Sequence, residues 1–317
     1  MDLNHSTSPG PWDWRPASPS RWEQPVSLIR LEGPDSLRFL HGQSSQDLER
    51  AQPGQCLATC CLTPTARVRG LADVLVDASG AWLVITAGEG VAIHQALDRV
   101  LFPADQVNLG PLLSGTLIHL EGAAGAIQNT SVGWRLPGDR LVLRDGECLS
   151  AELEAIPALG PIEIERWRLS QGRPLAPNEI SEEVNPFELG LADRVNLSKG
   201  CYVGQETLAK LATYDGVKQQ LRRWCWAEPA ASTARTDTEP VVGAVLRTIS
   251  GERAGRITSR LQLNAGPDGT SLWLGLALVR RQALAEPLLL AGEGITLEIS
   301  EPIGVVAPPV GAGSAAS

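Results

Sequence analysis

At 317 residues with a formal net charge of −9, the chain has room for two domains, and its acidity argues against broad nucleic-acid binding, which depends on phosphate neutralisation. Its 43% hydrophobic and 20% charged residues are those of an ordinary globular protein. No run of about 18 apolar residues occurs, so no membrane span is expected.

Residues 1–26 read as an arm rich in Pro, Ser and Trp, without the basic start and apolar stretch of a secretory signal. Val26 to Leu31 alternates as a strand, Gly33-Pro34 makes a turn, and Asp35 is a candidate N-cap for a helix carrying Leu37, Phe39 and Leu40. Pro53-Gly54 opens a turn into a strand over Gln55 to Leu62, whose Cys56, Cys60 and Cys61 form no C-x-x-C pair. Packed strand thiols account for them better than a metal site, and with four His in the chain no metal is expected. Six cysteines without a small-scaffold spacing point to a reducing compartment, the cytoplasm.

Strands over Gly70 to Val76 and Trp82 to Thr86 flank Asp77-Ala78-Ser79-Gly80, which is hairpin punctuation. Gly90 to Leu101 carries apolar residues at near-helical spacing and Pro103 closes it. This order predicts an α+β layer rather than a βαβ repeat. Short strands recur from Ser114 to Leu149, and Pro161 to Ser170 reads as a helix ended by Gly172 and Pro174. From Leu221 the texture changes to short apolar strands, Leu221 to Trp226, Val241 to Ile249, Gly255 to Leu261, Leu272 to Val279 and Ile295 to Ile299, which predict a small antiparallel β-barrel. The expected organisation is an arm over 1–26, an α+β domain over 27–225, a barrel over 226–307 and a disordered tail over 308–317.

The densest chemistry lies in Lys199-Gly200-Cys201-Tyr202-Val203-Gly204-Gln205-Glu206. Two glycines around a cysteine leave backbone N–H groups uncovered and allow close approach of a ligand. Gln205 to Ala212 opens a helix, with Glu206 and Lys210 as a favourable i,i+4 pair. Cys201 is then expected just ahead of a helix N-terminus, and the helix end and Lys199 both favour its thiolate. Two small basic clusters, Arg67 with Arg69 and Lys218 with Arg222 and Arg223, offer local positive charge to an anionic tail, though solvated surface charge is the commoner reading of such clusters.

This eight-residue run resembles the signature of the YgfZ proteins, folate-binding relatives of the glycine-cleavage T-protein. Ile29 to Asp47, Arg168 to Pro174 and Asn185-Pro186-Phe187-Glu188 resemble other segments of that family in order. The resemblance implies an aminomethyltransferase-like folate-binding domain followed by a small barrel, tetrahydrofolate as ligand, and service to iron–sulfur enzymes or their assembly proteins, with an indirect link to tRNA modification. It implies that Glu188 holds the pterin, that Cys201 acts as thiolate with Lys199 beside it, and that Gly200, Tyr202, Gly204 and Gln205 border the ligand. A carboxylate suits a pterin because its two oxygens accept an amino group and a ring N–H side by side. The T-protein relies on an aspartate near the pterin; the corresponding stretch, Trp82 to Ala92, offers only Glu89. Lys210 also stands where the family often has arginine, so bidentate recognition there is lost. A folate-dependent aminomethyltransferase or demethylase, and a docking module without chemistry, stay open beside the leading reading. The overall acidity argues against direct tRNA binding.

Overall fold

The computed structural model describes residues 10–123, 125–127, 132–228, 239–263, 271–292 and 294–308. The expected tail lies outside them but for Pro308. The N-terminal part contains β1 (Ser20–Glu32), α1 (Ser36–Gln43), β2 (Cys56–Leu62), β3 (Val68–Asp77), β4 (Gly80–Gly88), α2 (Gly90–Val100), β5 (Asn108–Glu121), β6 (Trp134–Leu136) and β7 (Arg140–Arg144). Its strands make one seven-stranded antiparallel sheet in the order β2-β3-β4-β1-β5-β7-β6. β1 is apolar on both faces because both are covered. Ile29 and Leu31 pack with Phe39 and Leu40 of α1 and Ile93 and Leu97 of α2, while Val26 and Leu28 pack with Val84, Leu117 and Val142. Each such side chain contributes roughly 1.5–3 kcal/mol on full burial.

The adjacent Cys60 and Cys61 point to opposite faces of β2 and enter different cores. Burial pushes their thiols up to about 11 and about 12. The Asp77–Gly80 hairpin, α2 and the strand over 56–62 stand where the sequence puts them. Three features differ. β1 begins at Ser20, inside the expected arm, because Ser20 to Pro25 pairs with Thr116 to Glu121. Of the short strands expected from Ser114 to Leu149, β6 and β7 form, but the first is the second half of a 14-residue strand, β5, that already begins at Asn108; at Gly115 Leu28 occupies the space a Cβ would fill. Asp35 caps no helix N–H: its carboxylate accepts from the Gln106 backbone instead.

The chain continues through α3 (Ala151–Glu154), α4 (Pro161–Gln171) and α5 (Gln205–Thr213) into β8 (Gln219–Ala227), β9 (Val245–Arg247), β10 (Arg253–Leu263), β11 (Leu272–Arg280), β12 (Leu288–Leu290) and β13 (Thr296–Ser300). These six strands close a barrel in the order β10-β11-β8-β13-β12-β9. Of the expected strand over Val241 to Ile249 only β9 forms, and β12 was not anticipated. The barrel is filled by Trp224, Ile257, Trp273, Leu289 and Leu297. Gly275 makes room for Trp224: a Cβ there would stand 2.4 Å from the indole and 2.0 Å from the Ser259 carbonyl.

The outer face of the barrel is covered by the connecting chain rather than by water. Leu221, Leu274, Leu276 and Leu278 share one core with Phe187, Leu189, Tyr202 and Leu208, and this core runs on to Leu62, Val68 and Leu71 of the sheet. The segment over 187–195, which reads as helix-like, is a series of turns with a 3₁₀ turn at Ala192–Arg194. The N-terminal arm also joins this seam. Arg223 lies over the Trp12 ring at 4.8 Å and Arg166 over the Trp14 ring at 5.3 Å.

Candidate functional site

A cavity of about 580 Å³ lies where the sheet meets α4, a size typical of small-molecule sites. β1 supplies Trp22 and Gln24, β5 supplies His119, and β7 supplies Arg140; Trp167 comes from α4, and Arg173 follows that helix. Trp22 stacks on His119 at 4.8 Å with 1° between the planes, and Trp167 leans against Trp22 at 4.6 Å. The His119 Nε2 meets the Gln24 Oε1 at 3.1 Å, so that nitrogen carries the hydrogen. Burial, then the charges of Arg173 and Arg140, push the His119 pKa down to about 3. A neutral imidazole therefore stands in a wall otherwise made of indoles and guanidiniums.

The opposite wall is braced to the barrel. Arg168 on α4 makes two bonds to Glu165, at 2.8 and 2.7 Å, and one to Ser259 of β10 at 2.8 Å. Ser259 in turn donates to the buried Glu179 at 2.6 Å. Behind the cavity lies a residue that sequence reasoning missed. Asp73 of β3 is not among the lining residues but is buried against one of them, with Oδ2 accepting from Arg140 at 2.6 Å. Its Oδ1 is buried without a hydrogen-bond partner. The N-terminal domain thus places an aspartate beside the cavity, on β3 rather than in the Trp82–Ala92 stretch where one was sought. Its signal was a lone carboxylate inside an otherwise apolar strand.

The signature residues lie elsewhere, and none of them lines this cavity. Lys199 is buried, and its ammonium donates to the carbonyls of His41, Ser44 and Gln46 at 2.6, 2.8 and 2.7 Å. It also sits 4.5 Å from the centre of the Tyr202 ring. Burial pulls its pKa down to about 7; the three carbonyls work against this, because only the charged form has three N–H to give. The cation expected beside the thiol therefore ties the signature loop to the exit of α1. Tyr202 is part of the shared core, and burial pushes its hydroxyl up to about 12. Gln205 donates to the Lys199 carbonyl at 3.2 Å.

Cys201 is exposed while Lys199 and Tyr202 beside it are buried. The helix after it, α5, starts at Gln205 behind Gly204, which takes φ 80° as its N-cap. A Cβ on Gly204 would lie 2.8 Å from the Ala66 backbone, whereas one on Gly200 would touch only His41, at 3.8 Å. Glu188 belongs to a second, polar depression of about 670 Å³ shared with Arg67, Lys218 and Arg280. Its Oε2 accepts from the Asn185 backbone at 3.0 Å and stands 3.7 Å from Arg67. Burial raises its pKa, opposed by these contacts. The basic clusters are also engaged internally, Arg69 with Glu182, Arg222 with Glu301 and Arg223 with Ser300.

Gly204→Ala is expected to destabilise the protein by about 2 kcal/mol or more, since positive φ and close packing coincide there, while Gly200→Ala stays within about 0.5 kcal/mol of wild type; urea unfolding of the pair measures both. His119 sets an acid limit. Between its folded pKa of about 3 and its ordinary 6.5, the unfolded chain binds a proton that the folded one refuses, so stability is complete above that window and lost as pH falls through it. In unfolding midpoints taken from pH 7 to pH 4, as on any acid titration spanning that window, His119→Gln should show a shallower loss than wild type.

No family model matches the chain. A protein of Arabidopsis thaliana named as a putative chloroplastic transferase is 28% identical over 313 residues, spanning 88% of this chain and 67% of that protein. The crystal structure of the glycine cleavage system aminomethyltransferase T from Bartonella henselae superposes with a TM-score of 0.69 at 19% identity, covering 93% of this chain and 88% of that one. The chain therefore has an aminomethyltransferase-like fold: a mixed α/β domain carrying a closed six-stranded antiparallel barrel.

Proposed function

We propose that this protein is a folate-binding accessory factor of the YgfZ type, serving the assembly or repair of iron–sulfur enzymes, with its folate ligand in the central cavity and Cys201 as its reactive thiol. The observation that carries the reading is the aromatic-walled cavity within an aminomethyltransferase-like fold. Trp22, Trp167 and neutral His119 offer flat apolar surface to a planar heterocycle. Gln24 adds a carboxamide. The signature supports the second half: Cys201 is presented to solvent between the buried Lys199 and Tyr202, whereas Cys60, Cys61 and Cys225 are buried thiols with raised pKa values. An exposed thiol on a fixed loop suits contact with another protein. Six free cysteines fit the reducing compartment expected from the sequence.

Titration with 5-formyltetrahydrofolate, followed by calorimetry and Trp fluorescence, tests the ligand. Saturable binding is expected, weakened about tenfold or more in Trp167→Leu. Glu188→Gln separates the two sites: unchanged affinity places the pterin in the central cavity, and a comparable loss returns it to the Glu188 depression. For the thiol, Cys201→Ser should fail to restore iron–sulfur enzyme activity in cells lacking their own factor, while Cys148→Ser, which removes the other exposed thiol, restores it.

One observation favours a second reading, a folate-dependent aminomethyltransferase or demethylase. Asp73 places a carboxylate with one unpartnered oxygen behind the cavity wall, where it could take a proton from a bound amine. Formation of methylenetetrahydrofolate and ammonia from tetrahydrofolate and an S-aminomethylated thiol, which is already at the methylene oxidation level and leaves as the free thiol, abolished by Asp73→Asn, would establish that activity. Its absence from wild-type protein that binds folate would leave the accessory role alone.

A further inference from the structure

Four arginines line the central cavity, Arg140, Arg168, Arg173 and Arg194; Arg168 is paired with Glu165 and Arg140 with Asp73, and the other two have no carboxylate on them among the described residues. Arg140 is held by Asp73 at 2.6 Å and by the Pro137 carbonyl at 2.8 Å. Arg194 donates to a single acceptor, the Ala72 carbonyl, at 3.4 Å. Arg173 donates no side-chain hydrogen bond to any described residue; its guanidinium lies over the face of Trp167 at 4.2 Å. The acids along the walls are committed elsewhere or stand clear. Glu23 pairs with Arg21 and Glu165 with Arg168, and Asp193 is exposed and makes no ion pair with either arginine.

This arrangement is unfavourable as it stands. Solvent reaches Arg173 through the cavity although protein surrounds it. That burial, with the charges of Arg140 and Arg194, pulls its pKa down to about 10. Like charges held together inside protein walls repel more strongly than in open water. Arg173 is exposed within the cavity and Arg194 half-buried, and between them they give one side-chain hydrogen bond to a described residue, so both keep N–H groups available to a ligand. Guanidiniums with free N–H pairs match the two oxygens of a carboxylate or phosphate.

We propose that Arg173 and Arg194 form an anion subsite of the central cavity, which takes the carboxylate or phosphate group of the bound ligand. The inference rests on the reading of this cavity as the ligand site and names the charge that ligand must carry. The aromatic wall beside the arginines makes an aromatic acid the best match. Neutralising the pair removes their mutual repulsion, so the ligand and the folded state reinforce each other.

The test uses the full chain and three probes: p-aminobenzoyl-L-glutamate, inorganic phosphate and the uncharged 4-aminobenzamide. Calorimetry should show p-aminobenzoyl-L-glutamate bound by wild type and weakened about tenfold or more in Arg173→Gln and in Arg194→Gln, with the benzamide binding weakly and alike to all three. Phosphate binding with the same dependence on the arginines would identify a phosphate-bearing ligand and keep the subsite. Thermal melting separates binding from folding: without ligand the variants should melt at or above the wild-type temperature, because each removes a repelling charge. Failure of both anions to bind wild type, equal binding by wild type and variants, or a lowered melting temperature in both variants overturns the proposal. If 5-formyltetrahydrofolate does not bind but an anion still does through these arginines, the subsite stands and the folate reading falls. Folate binding indifferent to both substitutions gives the reverse.

Discussion

The apolar core between the barrel and the sheet is the constraint on which the rest of this architecture depends. Leucines on the outside of β8 and β11 need cover, and the chain over 180–217 supplies it on its way from α4 to the barrel. Because the same core reaches β2 and β3, the two halves are not independent bodies joined by a linker. The cavity is a by-product of that packing. α4 is pinned to the barrel through Arg168, Ser259 and Glu179, which holds its other side at a fixed distance from the sheet. The space left between them is lined by side chains that neither half would place together alone.

Electrostatics divides the molecule's inward-facing cations into two kinds. The Lys199 ammonium has an acceptor for each of its hydrogens, and it is a fastening: it fixes a loop to the end of a helix far away in sequence. The guanidiniums of Arg173 and Arg194 have almost none, and they face open volume. Buried charge with a full set of partners contributes to architecture, whereas guanidiniums open to a cavity keep N–H groups that an outside anion can use. The same contrast separates the thiols, Cys56, Cys60, Cys61 and Cys225 with pKa values raised by burial, and Cys148 and Cys201 exposed.

What could be read from the sequence was local. The hairpin at Asp77–Gly80, α2, α4 and α5 each follow from a few adjacent residues, and all form. β5 defeated local reading because Gly110, Pro111 and Gly115 look like breaks, yet the strand passes Gly110 and Pro111 at a bulge against β1 and Gly115 is paired on both edges. β12 is three residues long and has no pattern to detect. The signature announced its glycines and its thiol, but Lys199 could only be assigned to its nearest neighbour, Cys201; its true partners are backbone carbonyls about 150 residues away, and carbonyls leave no mark in a sequence. The cavity was illegible for a related reason. Trp22, His119, Trp167 and Arg194 share no spacing, and Asp73 is hidden in an apolar strand until the fold turns it toward Arg140.

Both ends of the described chain close on the same helix. Trp12 and Trp14 lie against Arg223 and Arg166, while Pro302 packs at Gly172 and Gly304 donates to the Gln171 carbonyl at the end of α4. α4 is therefore clasped from its N-terminal side by the first residues and from its C-terminal side by the last. Since α4 is a wall of the cavity, trimming or fusing either terminus acts on the ligand chamber from a distance.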